Sequence, residues 1–407
     1  MSQVTLLRTI RIAERPNLIW VEIETEEGLT GLGESFRGAQ ATEAALHEQV
    51  APWLLGRDSR RIEAVSRHLA TPYVGFHSAG AEGRAASAVD IALWDLAGKR
   101  HGIPVHEALG GAVRTEIRAY NTCAGYAYNS GKTGSGAGWR RSVSAGEEMR
   151  GPYDDQIAFT RDAGALAESL LAEGYTAMKI WPFDPYAEAT GGHAITLSEL
   201  KAGLEPFRKI RAVVGERIEV MAELHSLWSS QAAIRICRAL EDVGVFWAED
   251  PLNKMDDVEA LADLRRQTRT PLCGSETLSG AVSFRRLLAA DAVDVVMLDL
   301  GWCGGLTEAR KIAALAEAHA KPLAPHDCTG PVALWAGLHL ALHAPTAIFQ
   351  EVVRATLATW YQELVTDLPV IRSGMVQAPS APGLGTALHP SVKGREDVLI
   401  RESRLGG

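Results

Sequence analysis

Seven polar residues constrain this chain more than any other feature. Lys179, Glu223, Glu249, Glu276, Asp299, His326 and Glu351 each close a short apolar, β-compatible run, and from Glu223 onward they recur every 23 to 27 residues. That interval is one strand plus one helix. The runs are IRAYNT (117–122), AMKIW (177–181), IEVMAEL (218–224), VGVFWAE (243–249), PLCGSE (271–276), VDVVML (293–298), KPLAP (321–325) and TAIFQE (346–351). Helix-like segments such as TRDAGALAESLLAEG and EARKIAALAEAHA lie between them. Strands alternating with helices predict a parallel sheet, and eight strands suggest a closed (β/α) barrel. An open doubly wound sheet has the same alternation, but no GxGxxG strand-turn-helix stretch supports it. In a barrel, the polar residues all fall at strand C-terminal ends, the face that carries active sites.

The first 115 residues read differently, as an α+β unit. NLIWVEIETEEGLTGLGES (17–35) predicts a hairpin turning at Glu-Glu-Gly, and RAASAVDIALWDLAGKRHG (84–102) predicts a helix closed by a glycine. We therefore expect an α+β domain over 1–115, the barrel over 116–372, and a C-terminal segment over 373–407 that leaves the barrel. The Gly/Ser-rich stretch 125–151 reads as a lid or a disordered insert. A net charge of −9 argues against a general nucleic-acid binder. No apolar run approaches a membrane span, and the opening MSQVTLLRTIRI lacks the core of a signal peptide. The five cysteines are scattered without a CxxC pair, which fits reduced thiols in a cytoplasm better than disulfides or a zinc site.

Chemistry follows from the residue types. Glu223, Glu249 and Glu276 at neighbouring strand ends repel one another unless a cation lies among them, and oxygen ligands select Mg²⁺, or Mn²⁺, over softer metals. Cys273 is expected to face away. The plainer alternative is a barrel mouth tied by salt bridges to Lys or Arg. Asp299 and His326 fall on consecutive strand ends, where a carboxylate would fix the imidazole tautomer and raise its basicity, as a general base requires. A satisfied structural histidine is the alternative. In IEVMAELHS (218–226), strand alternation would put Met221, Glu223 and His225 on one face. For His225 a structural or metal-neighbour role also stays open.

The chain resembles the enolase superfamily, in its mandelate racemase branch, over nearly its full length. SAVDIALWDLAGK (87–99), HEALGG (106–111), GYTAMKIW (174–181), FWAEDP (246–251), GSE (274–276), DLGWCGGLTE (299–308), PHD (325–327) and PGLG (382–385) carry the resemblance by their order and spacing. It implies an α+β capping domain, to which the C-terminal segment returns, over a modified (β/α)₇β barrel. It also implies Mg²⁺ on Glu223, Glu249 and Glu276, and abstraction of the proton next to a substrate carboxylate. By position, Asp299–His326 is the dyad and Glu351 the acid that hydrogen-bonds the substrate carboxylate, while Lys179 holds that carboxylate. Two departures matter. Racemases of the branch carry Lys-x-Lys on the second strand, where this chain has Lys179-Ile180-Trp181. Its sugar-acid dehydratases carry Asp-x-His on the third strand, which Glu223-Leu224-His225 matches with Glu for Asp. The resemblance thus implies a dehydratase in which His326 is the base and His225 the acid for the departing hydroxyl, giving a 2-keto-3-deoxy acid. A cycloisomerase or an epimerase/racemase on a related acid is the nearest rival, and a non-catalytic binding or structural barrel is a rival of another class. Substrate choice is expected to rest on capping-domain loops, RGAQ (37–40) and YVGFHSAG (73–80) with Tyr73 and His77, and on Trp181, Trp228 and Trp302. The expected partners are a small-molecule carboxylate and further copies of the chain in a homo-oligomer.

Overall fold

The computed structural model describes residues 2–71, 79–126, 128 and 146–406. The N-terminal sheet is antiparallel: β1 (Val4–Ile12), β2 (Leu18–Thr25) and β3 (Thr30–Phe36) follow one another as a meander. The β2–β3 connection turns where expected, with Gly28 at φ 79 and its N–H donating to the Thr25 carbonyl. Gly28 is there because a left-handed turn position carries no Cβ penalty for glycine.

The helix Ala81–His101 packs on this sheet, and Gly102 ends it at φ 68. The approach is close because two glycines of β3 permit it. A Cβ on Gly31 would overlap the Ala92 carbonyl, and one on Gly33 the Ala88 carbonyl.

The second sheet holds β4 (Glu116–Thr122), β5 (Ala177–Ile180), β6 (Glu219–Glu223), β7 (Ala248–Glu249), β8 (Leu272–Gly274), β9 (Val295–Asp299), β10 (Leu323–His326) and β11 (Gln350–Val352). From β4 to β10 each strand pairs in parallel with the next. Closure comes from both sides of the last strand. β11 pairs in parallel with β4, and the residues just before it bond to β10, Leu323 N–H to Thr346 O at 3.0 Å and Ile348 N–H to Leu323 O at 2.9 Å. One helix of nine or more residues lies in each of the seven connections, so the architecture is (β/α)₇β. The run 243–249 contributes only the two-residue strand Ala248–Glu249.

The C-terminal part joins both sheets. β12 (Ile371–Arg372) and β13 (Met375–Gln377) form a hairpin, with β13 antiparallel to β4. Farther on, β14 (Val398–Arg404) pairs antiparallel with β1.

Inside the ring, Tyr120, Ala177, Met221, Trp247, Cys273, Met297, Ala324 and Phe349, each on a strand or just before one, form a separate buried cluster together with Val295, a second residue of β9. Tyr120, Trp247 and Phe349 meet edge-on, with centroids 5.6 to 5.9 Å apart. This layer is the floor beneath the site. Cys273 belongs to it, so it faces the barrel axis and not away from it, because residue alternation puts it in phase with Met221 and Trp247.

Candidate active site

Counting two residues on from each floor position other than Val295 gives Thr122, Lys179, Glu223, Glu249, Ser275, Asp299, His326 and Glu351. Strand alternation puts these on the same inward side, one layer up. All eight are buried. Seven strand-closing residues were expected from sequence. Six of them fall in this layer, while on β8 the position is held by Ser275. Glu276 comes from the residue beyond and still reaches in.

The geometry is tightly interlocked. Lys179 Nζ lies 3.1 Å from Glu223 Oε2, 3.0 Å from Glu351 Oε1, and in contact with Glu249. His326 Nδ1 is 2.8 Å from Asp299 Oδ2, and its Nε2 is 2.8 Å from Glu276 Oε2. The Gly301 N–H donates to the other Asp299 oxygen at 2.7 Å, which fixes the carboxylate that holds the ring. One ligand oxygen from each of Glu223, Glu249 and Glu276 lies within 4.8 Å of the others. Three hard donors at that spacing fit one Mg²⁺- or Mn²⁺-type cation.

His225 does not share the strand face of Met221 and Glu223. β6 ends at Glu223, and His225 and Ser226 take φ 49 and φ 53. Left-handed backbone at non-glycine residues costs on the order of 1–2 kcal/mol each, and here it swings the imidazole over the barrel mouth. The His225 N–H donates to Glu223 Oε1 at 2.7 Å, which helps hold the turn. Its ring meets Asp184, Nδ1 to Oδ2 at 2.7 Å, and the Tyr128 hydroxyl lies 3.3 Å from Nε2. Asp184 was not singled out in the sequence. It follows β5 in a short helix, outside the strand-end rhythm.

Each histidine also has an indole. Trp181 meets His225 edge-on at 5.5 Å, and Trp302 stacks on His326 at 5.6 Å. Trp228 is fully buried away from solvent. Tyr73 and His77 lie outside the described residues, as does most of 125–151.

Charges are strongly perturbed. Burial pushes Glu249 well above the ordinary carboxyl range, and the neighbouring Glu223 adds to this. Burial is the largest single effect on Glu223 and Glu276 too, but Lys179 with His225 on the first, and His326 with Lys179 on the second, together leave both carboxyls lowered. Burial works against the charged forms of His225 and His326 too. Asp184 and Glu223 nevertheless raise His225 to about 9, and Glu276, Glu351 and Asp299 raise His326 well above its usual value. Glu351 sits among three donors. Lys179, the Thr122 hydroxyl and the Asp327 N–H (2.9 Å) all point at it, and despite burial its carboxyl is lowered.

The capping sheet reaches this mouth. Ser35 Oγ donates to the Gly301 carbonyl at 2.8 Å, and Trp302 Nε1 donates to the Phe36 carbonyl at 2.9 Å. Glu34, fully buried beside them, accepts from Trp20 Nε1 at 2.7 Å and from the Val332 and Ala333 N–H groups at 3.2 and 2.8 Å.

An antiparallel cap over a (β/α)₇β barrel, with acids and histidines on the barrel's C-terminal face, defines a class, and comparison with known proteins agrees. Residues 7–110 match the mandelate racemase / muconate lactonizing enzyme N-terminal domain, and residues 162–392 match the enolase C-terminal domain-like model. The chain belongs to this branch of the enolase superfamily and is an enzyme. It is similar to the D-galactonate dehydratase of Ralstonia nicotianae, at 31% identity over 99% of this chain and 94% of that protein. The D-xylonate dehydratase of Haloferax volcanii is 28% identical, over 95% of this chain and 87% of its own length. An enolase protein from Sargasso Sea environmental sequencing, known from its crystal structure, is 59% identical, with a TM-score of 0.88 and both chains fully covered. Among the described residues no helix is long and apolar enough to cross a membrane.

Proposed function

We propose that this enzyme dehydrates an acid sugar, removing the proton next to the carboxylate and eliminating water to give a 2-keto-3-deoxy acid. The observation that carries the reading is the pair of aspartate-held histidines, Asp299–His326 and Asp184–His225, together with three converging glutamates. The relatives named as galactonate and xylonate dehydratases support the substrate class.

Glu223, Glu249 and Glu276 would hold Mg²⁺, with Mn²⁺ as a substitute. When bound, such an ion supplies Lewis-acid stabilisation for charge that builds on the substrate carboxylate. His326 takes the α-proton at Nε2, with Asp299 holding the ring through Nδ1. Glu276 occupies Nε2 in the structure, and turning toward a cation would release it. Lys179 binds the substrate carboxylate, and Glu351 fixes Lys179 in place. His225 gives a proton to the departing hydroxyl, held at the angle set by Asp184. Trp181 and Trp302 flank the substrate. We also infer that the enzyme works in the cytoplasm as a homo-oligomer.

The second reading is an epimerase or cycloisomerase, because two aspartate-held histidines can also serve as two proton-transfer groups. Incubation in D₂O with a panel of acid sugars separates the two. A semicarbazide-reactive product with loss of water is expected. Deuterium uptake with no 2-keto product would transfer the assignment to the second reading.

A further inference from the structure

We propose that His326, Cys328 and Glu351 form a second metal site, one that takes a thiophilic divalent ion of the Zn²⁺ type and silences the base by capturing it. One ligand atom from each residue lies within 4.8 Å of the others, and all three residues are buried. His326 ends β10, Cys328 follows two residues later, and Glu351 sits on β11, which closes the ring beside β10.

Asp299 holds Nδ1 of His326, so a metal would take Nε2, displacing Glu276, which lies 2.8 Å from it. A carboxylate behind a ligating imidazole is the usual second partner of zinc-bound histidine. Zn²⁺ bond lengths place neighbouring ligand atoms roughly 3.5 Å apart, within reach of a modest side-chain adjustment. Nitrogen, sulfur and oxygen together form a softer set than the three glutamates, so the two groups select different ions. A thiolate and a carboxylate also neutralise a dication, which suits a buried site. The thiol gives its proton to solvent on coordination. Glu351 can keep its bonds from Thr122 and Asp327 while ligating, because a carboxylate has about four lone-pair sites. Lys179, 3.0 Å from Glu351, opposes the ion and limits its affinity. Cysteine spacing gave no hint of this site, since its three ligands come from two strand ends that meet only in the folded barrel.

The silencing rests on His326 being the base, but the binding does not. Cd²⁺ is the probe, titrated into the full chain with and without saturating Mg²⁺ and followed by cadmium–thiolate charge-transfer absorption. A stoichiometric band is expected. Mg²⁺ should not displace it, Zn²⁺ should compete it away, and it should be lost in Cys328→Ser and weakened in His326→Asn. Zn²⁺ should also inhibit the wild-type enzyme more strongly than Cys328→Ser. No band, a band that survives Cys328→Ser, or displacement by Mg²⁺ overturns the proposal. If Cys328→Ser does not fold by circular dichroism, the Mg²⁺ competition on wild type decides. A Cys328-dependent band in a chain that dehydrates no acid sugar would leave this site standing and remove the functional reading instead.

Discussion

His326 and His225 are both held by aspartates, but they are held on different kinds of backbone, and their roles should separate on mutation. His326 ends a regular strand, while His225 sits on a left-handed turn. His326→Asn should lower turnover by about 10²–10⁴-fold, the usual range for a lost acid–base group, and should abolish α-proton exchange as well. His225→Gln should lose elimination but keep exchange at the α-carbon, measured by deuterium uptake in D₂O. If both variants lose exchange equally, the division of labour is wrong. Asp299 and His326 were readable because strand alternation and a regular strand spacing place them. Asp184 was not, since a loop acid near a strand end carries no periodic signal. The face expected for His225 failed for a related reason: two consecutive positive φ values break the alternation on which it depended.

At the scale of elements, β3 holds two tests. Gly33 lies against the Ala88 carbonyl of the helix Ala81–His101, and the obstruction is backbone, which cannot move aside as a side chain could. Gly33→Ala should therefore destabilise the protein by about 3 kcal/mol, the upper part of the overpacking range, read from urea unfolding. Glu34, next along, concerns pH. Burial pushes its carboxyl up from 4.5 to about 8, against the pull of Ala333, Trp20 and Val332, and Asp299 adds to the rise. Between these values the folded chain keeps a proton that the unfolded chain has lost. Stability should thus fall as pH rises from about 4.5 to about 8. Glu34→Gln should flatten that slope in unfolding measured across the range. The strands themselves were largely visible in the sequence because each is a compact apolar run between helices. Their lengths were less visible: VGVFWAE looks like a full strand, yet only Ala248 and Glu249 bond as one.

For the whole molecule, the two sheets and their helices bury a large apolar core that owes nothing to a metal. A chelator should therefore stop turnover without unfolding the chain, and Mg²⁺ should restore it. By linkage, Mg²⁺ at a hundred times its dissociation constant should add about 2.7 kcal/mol to unfolding stability, seen as a raised Tm that Glu249→Gln no longer shows. A Tm indifferent to Mg²⁺ would count against the three glutamates as its site. The barrel was legible because its repeat runs through more than half the chain. The connection between cap and barrel was not, because Ser35 and Phe36 meet Gly301 and Trp302 only after both parts have formed. That meeting has an evolutionary corollary. The indole stacked on His326, the proposed base, is tethered to the capping sheet, so a lineage that remodels its cap would also disturb the ring beside that histidine. On the proposed assignment, substrate range and reactivity should change together, and a cap transplanted from a relative should need compensating changes after β9 before it works.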